Sequence, residues 1–239
     1  MSTDAKHKLS EEELLAQTTV LTIAGHDTTA NTLSWVLYEL AQHPIAQTKL
    51  RDEVKAFRVS HGDRDIHAGD FDVSFPYTTA TLRFLPIVIH LLRKASNDDT
   101  IPLSKPLKTR HGKEISSISV KRGQVVLTSL WGYNRLEEIW GNDPDIWRPE
   151  RFLTKGESTK HSVGVYGNLA SFSSGVHSCI GWRFAIIELH SILITLIERF
   201  EFLPAPDVTV LPVPAGTVMP MVKGEEDKGP QVPITIRSL

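Results

Sequence analysis

A single cysteine in 239 residues excludes an internal disulfide framework and any zinc cluster built on cysteines. Charge of either sign is also missing as a block. Lys and Arg number 26 against 28 Asp and Glu, a net of -2 with no long basic run, so nothing in the composition points to nucleic acid or an anionic membrane surface. No apolar stretch approaches the ~20 residues a transmembrane helix requires. The opening residues 1–13, MSTDAKHKLSEEE, contain no apolar signal region. Repeats and low-complexity segments are absent, and no composition shift marks an internal boundary, so a single domain over 1–239 is expected. What is present, 41% hydrophobic and 23% charged residues, is the balance of a soluble globular chain able to bury a sizeable core.

The lone cysteine, Cys179, sits in the stretch FSSGVHSCIGWRFA, from Phe172 to Ala185. Gly175 and Gly181 flank it, where backbone must turn tightly or approach another group. Beyond it Ile186, Leu189, Leu193, Leu196 and Phe200 recur at helical spacing, with Glu188, Ser191, Thr195 and Glu198 opposite. Cys179 is thereby expected at the foot of a helix, where free N–H groups suit an anionic sulfur. The plain alternative is a small buried hydrophobe, the commonest fate of a free cysteine.

Near the start, Ser10 and Glu13 form an S-x-x-E capping box, which predicts a helix from about residue 11 to His43, ended by Pro44. Inside it lies AGHDTT, Ala24 to Thr29. Gly25, Asp27, Thr28 and Thr29 are poor helix formers. By themselves they read equally as a polar turn or as threonines bonding back to carbonyls one turn earlier.

Together, F-x-x-G-x-H-x-C-x-G and A-G-x-D-T-T resemble two motifs of the cytochrome P-450 family, the haem-thiolate monooxygenases. The likeness is to fungal members and runs from about residue 10 to the end, covering the family's C-terminal half only. It implies a mainly α fold with minor β, an α+β arrangement. Long distal (11–43) and proximal (172–200, with the cysteine loop) segments would enclose haem b. It implies Cys179 as the iron ligand, Phe172 near the sulfur, and Gly175 and Gly181 admitting backbone N–H groups to it. His177 stands where the family more often has an arginine for a haem propionate, and Arg93 fits a second propionate partner. Asp27 and Thr28 map onto the acid–alcohol pair that relays protons to dioxygen, beside Gly25, where the family's helix opens locally.

Between these motifs the likeness is uneven. A helix from Phe75 should carry E-x-x-R; Arg83 fits the arginine, but Ala80 stands at the glutamate, and the segment is about one turn short. The second arginine of that family triad maps onto Arg151 in RPERF. Without the carboxylate, two guanidinium groups are expected to meet unneutralised, with local disorder or water entry. A further helix is expected over 44–57, and Pro86 to His90 would line the substrate side. Ile115–Val120 and Val125–Thr128 read as a hairpin around KRGQ within a small β region at 100–130. Residues 131–171 read as a meander whose tryptophans pack a loop-rich core. Three β-like runs close the chain after 201, with a turn near Ala215 to Val218 that could touch substrate. His61 and His67, in HGDRDIHAGDFD, read as a solvated loop before a metal site.

The resemblance implies an enzyme inserting one atom of O2 into a small apolar organic substrate. Electrons would come from a separate NADPH-dependent reductase, since the chain has no nucleotide-binding fingerprint. Fungal members are usually anchored to the endoplasmic reticulum membrane, and no such anchor is present in this sequence. The alternative is a catalytically silent fragment acting only as a binding or interaction module.

Overall fold

Ser10 opens the first helix with both halves of the expected box. Its backbone N–H donates to Glu13 Oε2 at 2.7 Å, and the Glu13 N–H donates to Ser10 Oγ at 3.2 Å. The computed structural model describes residues 8–62, 75–153 and 163–239. Its helices are α1 (Glu11–Gln42), α2 (Pro44–His61), α3 (Pro76–Phe84), two single turns α4 (Leu130–Tyr133) and α5 (Glu137–Trp140), and α6 (Trp182–Arg199). The strands are β1 (His90–Lys94), β2 (Asp99–Lys108), β3 (Glu114–Val120), β4 (Val125–Ser129), β5 (Phe200–Pro204), β6 (Val210–Ala215), β7 (Thr217–Val222) and β8 (Ile234–Ser238). The chain divides into two compact units, one of residues up to Ile89 with Trp131–Leu239, the other of His90–Leu130.

In the larger unit only the second half of α1 is buried. From Thr29 onward Thr32, Trp35, Val36, Glu39, Leu40 and Ala41 turn inward, while Leu14, Leu15, Val20, Leu21 and Ile23 are exposed. Val36, Leu40 and Ala41 meet Leu50 and Val54 of α2, Ala80 of α3, and Leu193, Ile194 and Ile197 of α6 in the main core. α6 buries Ile186, Leu189 and Leu193 at the spacing the sequence shows, and then Ile197, with Leu196 partly buried beside it. Phe200 leaves that helix and starts β5, which pairs antiparallel with β8. Gln47 fixes this join. Its side-chain amide donates to Leu40 O and Phe202 O at 3.1 and 2.8 Å, and its Oε1 accepts from the Phe202 N–H at 2.9 Å. Arg51 donates to Ile197 O and Phe200 O, each at 3.0 Å, so the open carbonyls at the end of α6 are satisfied.

A second core cluster lies further back along α1. Trp35 packs with Leu85, Ile87, Val210 and Val218, and its indole N–H donates to Val218 O at 3.2 Å. The β6–β7 hairpin turns at Gly216, near the expected place, and Val218 N–H donates to Ile87 O at 2.8 Å.

In the smaller unit the strands pair differently from the hairpin expected around KRGQ. β3 pairs with β2 and β4 with β1, both antiparallel. The turn itself dictates this. Gly123 N–H donates to Ala95 O and Ala95 N–H donates to Gln124 O, while Asp98 takes the Lys121 ammonium and the Arg122 N–H. β4 is thus handed to the strand before Ala95. The β2 strand contains Pro102 and Pro106, which weaken its signal in sequence; the register shifts between Pro102 and Leu107 to accommodate them.

Glu39, in the last turn of α1, is buried, and burial pushes its carboxyl up to about 7 from 4.5. The nearby helix C-terminus further disfavours the anion. The folded chain therefore holds a proton between about pH 4.5 and 7 that the unfolded chain has released, so stability falls as pH rises through that window. Glu39→Gln should be more stable than the parent by up to about 3 kcal/mol near pH 8 and no different near pH 4. Urea midpoints across pH test this; a difference that is constant with pH would exclude it.

Candidate functional site

The cysteine loop begins as a short turn, Ala170–Phe172, and reverses through Ser173 and Gly175, at φ 59° and 64°. A Cβ at Gly175 would have open space but the wrong backbone hand, so glycine is required by conformation. A second turn, Gly175–His177, then places Cys179, whose N–H donates to Phe172 O at 2.8 Å. Gly181 caps α6 at Trp182. The thiol is exposed, which sets aside the buried-hydrophobe reading. Around it Val176 and Ile180 are each 96% exposed and Phe184 68%, an apolar rim that water covers poorly. Phe172 faces the other way, edge-on to Tyr166 at 6.2 Å and against the cluster of Leu82, Trp140, Leu169 and Ile186. His177 is exposed on the same loop.

What holds the loop from behind was not visible in the motifs. Asn134, fully buried, accepts the Ala170 N–H at 3.0 Å and donates to Ser171 Oγ at 2.9 Å and Leu82 O at 3.4 Å. Ser171 Oγ donates to Leu82 O at 2.6 Å. The loop is thereby tied to α3. Only the polar Asn134 among the aromatics and Leu of WGYNRL hinted at such a role.

Arg83 and Arg151 converge on the meander, as expected, but not unneutralised. Arg83, with no exposed surface, donates Nη1 to Asn134 O and Pro144 O at 2.9 and 2.6 Å and Nη2 to Ile146 O at 2.7 Å. Arg151 donates to Asp143 Oδ1 at 2.6 Å and to Trp140 O. Asp143, which Arg148 also pairs at 2.6 Å, supplies the carboxylate that position 80 lacks. Ala80 itself packs in the apolar core. Carbonyl dipoles and an aspartate from the same loop replace the helix glutamate. Two donors keep the mark of its loss, since Arg83 Nε and Arg151 Nε are buried without an acceptor. Burial, then the charges of Arg151 and Arg135, pull Arg83 down to about 10, still a cation near neutral pH.

On α1, Asp27 is exposed and Thr28 half-buried, with Thr28 Oγ1 donating to Ala24 O at 2.7 Å. Thr18, Thr19, Thr22, Thr32 and Ser34 make the same backward bond, so this bond alone does not distinguish Thr28. Helix α1 runs unbroken through Gly25, and the local opening expected there is not seen, because Thr28 serves the Ala24 carbonyl within a closed turn. One turn on, Asn31 donates to Thr217 Oγ1 at 3.4 Å, and Trp35 reaches Val218, so the middle of α1, Ile87 and the β6–β7 turn form one wall. Arg93 lies in the other unit, exposed on β1, donating to Leu92 O at 2.9 Å. His67 falls outside the described residues; among those described, no group of three metal-ligating side chains gathers.

The residues fit a flat, largely apolar group carrying a thiophilic metal. The exposed thiol supplies one soft ligand, the rim of Val176, Ile180 and Phe184 supplies apolar cover, and open space beside Gly175 and Gly181 allows close approach.

A family model described as Cytochrome P450 matches residues 1–226. Cytochrome P450 monooxygenase 205 of Postia placenta is 34% identical over 232 residues, 97% of this chain and 42% of that protein. Ganoderic acid synthetase CYP5150L8 of Ganoderma lucidum is 39% identical over 203 residues, 82% of this chain and 37% of the relative. A solved structure, that of a Cytochrome P450 (CYP102L1), superposes with a TM-score of 0.74 at 23% identity, covering 97% of this chain and 47% of that one; this shows the fold. The chain spans less than half the length of the curated relatives it matches.

Arg83→Met leaves three carbonyls without their donor, so it should cost about 3 kcal/mol or more. Arg83→Lys should recover only part of this, because one ammonium cannot reproduce the guanidinium fork. Urea midpoints of the three chains decide the point, and parity of Lys with Arg would show that charge alone matters.

Proposed function

Since the chain belongs to the cytochrome P450 family, we propose that it carries the thiolate and oxygen sides of a haem-dependent monooxygenase acting on a small apolar organic substrate. The observation that carries this reading is the exposed Cys179 thiol on a loop with its own backbone hand, rimmed by apolar side chains. Bound there, haem b supplies a thiolate-held iron that activates dioxygen. Phe172 and the Asn134 network position the loop so that the sulfur stays forward. His177 is assigned to a propionate as a hydrogen-bond donor.

Thr28 keeps lone pairs free while its hydroxyl hydrogen is held by Ala24 O; rotation of the hydroxyl would free that hydrogen for donation away from the helix, the role assigned to it in handling protons. Asp27, in contact with solvent, passes protons inward to it. The wall of Ile87, Trp35 and Val218 is assigned to the substrate. Electrons are assigned to a separate NADPH-dependent reductase. Residues 1–239 serve together as one part of the haem domain in this reading. One feature favours the second reading, a silent binding module: Leu14, Leu15, Val20, Leu21 and Ile23 present aliphatic surface along the first half of α1.

Haem titration separates the two. The chain should bind haem, and its reduced carbon-monoxide complex should show the strongly red-shifted band of thiolate ligation, which Cys179→Ser should abolish. No haem uptake by the parent chain would favour the module; an unchanged band in the serine variant would remove Cys179 from the iron. In any preparation that turns over, Thr28→Ala should retain the haem spectrum and NADPH consumption while product per NADPH falls about tenfold or more. Unaltered coupling would leave Thr28 a helix-interior hydroxyl only.

A further inference from the structure

Three guanidinium groups crowd the segment 134–151, and negative charge there falls short of them. Arg83 has no exposed surface, and the side chains of Arg135 and Arg151 are only 12% and 11% exposed. Two carboxylates answer them. Asp143 is divided between Arg151 and Arg148, each at 2.6 Å. Asp145 pairs with Arg135 at 2.9 Å from a position 78% exposed, where water screens it. Arg83 meets no carboxylate at all: its three acceptors are main-chain carbonyls, and α3 carries no Asp or Glu. The like charges of Arg151 and Arg135 both act on it. A cation buried with so little opposite charge is costly to hold.

Hydrogen bonding is short in the same sense. Among the described residues Arg83 Nε and Arg151 Nε are buried with no acceptor, and so is Arg135 Nη1. Each is a donor on a group that keeps its proton. A water molecule between two such donors would accept from both, but its own hydrogens would then need acceptors and the charge would stay as it is. A species that only accepts and carries a negative charge meets both shortfalls. The surroundings set its size and hydration. Ala80, one turn before Arg83, belongs to the core cluster of Val36, Tyr77 and Trp147, and the Trp140 ring lies 5.5 Å from the Arg83 guanidinium. Apolar walls favour a compact, weakly hydrated ion. A phosphate or sulfate dianion would lose more hydration and meet the charge of Asp143 beside Arg151.

We propose that Arg83 and Arg151 form a binding site for one small monovalent anion, of chloride or formate size, which accepts from their unmet Nε–H groups between α3 and the turn Pro149–Phe152. The site depends neither on haem nor on the assignment of the chain as a monooxygenase. Its occupant would tie α3 more firmly to the segment from which Asn134 holds the start of the cysteine loop.

Urea midpoints of the purified chain at fixed ionic strength test it, with sodium gluconate, whose anion is too large for the site, replaced stepwise by chloride or by formate. Above the dissociation constant, each tenfold rise in the small anion should raise the folded-to-unfolded ratio about tenfold and move the midpoint upward. In a second measurement, the chlorine-35 resonance of chloride should broaden on adding the chain and sharpen again when formate competes, but not when gluconate does. Arg151→Gln should remove both responses, whereas Lys223→Glu, the loss of an exposed cation, should leave them at the parent level. Should Arg151→Gln fail to fold, the resonance and its competition in the parent chain decide the matter. Midpoints that are the same in gluconate, chloride and formate would leave only water at these donors and overturn the proposal. So would responses kept in full by Arg151→Gln, or chloride broadening that formate does not reverse.

Discussion

A guanidinium with no access to water must find its acceptors inside the protein, and most of the larger unit is arranged around that demand at Arg83. It sits on α3, and the acceptors it takes are main-chain carbonyls of Asn134, Pro144 and Ile146. A segment with little regular structure is thereby pinned to a helix at three points. Asn134, once placed, closes onto Leu82, Ala170 and Ser171. The loop that presents Cys179 begins in that same turn, Ala170–Phe172. The position of the sulfur thus depends on a cation that never contacts it. Because Ala80 offers no carboxylate, the arrangement rests on peptide dipoles and on Asp143, and two buried N–H groups remain without acceptors. A network with unmet donors is the least settled kind of polar core.

How much of this could be read beforehand depended on whether a feature is local. The capping box at Ser10, the long helix it starts, the apolar stripe of α6 and the hairpin turning at Gly216 each follow from neighbours within a few residues, and each is found where the pattern put it. The pairing of β4 with β1 was missed because it depends on Asp98 and Ala95 grasping a turn some 25 residues later. β5 was missed for a related reason: Phe200 continues the apolar spacing of α6, and only Gln47 and Arg51, from a distant helix, show where the helix must stop. The triad was misjudged because Asp143, about 60 residues beyond position 80 and unremarkable in NDPD, takes over a role assigned by position to the helix.

The site followed the same division. The loop glycine, the place of Cys179 at the foot of a helix and the helix behind it were all legible, since backbone hand and helix start are written in adjacent residues, whereas the exposure of the thiol was not. Asn134 was not, because a buried amide bridging Leu82 to Ala170 leaves no periodic trace. Charge placement was legible least of all. A chain near neutrality gives no sign that Arg83, Arg135 and Arg151 gather on one segment until the fold brings them together.

Helix α1 is a single element by hydrogen bonding but two by its surroundings. Residues from Thr29 to Ala41 share cores with α2, α3, α6 and the last strands, whereas the roughly five turns before them stand largely in solvent behind one capping box. Opening amides in the second half requires dismantling those cores; opening those in the first half requires only fraying from Ser10. Hydrogen exchange along this one helix should therefore grade from near-unprotected at its start to the global limit near Leu40. Gly25, Asp27 and Thr28 lie on the steep part of that gradient. Any surface that packs on the first half of α1 would extend the protected region across them, turning a segment that breathes into one that is held.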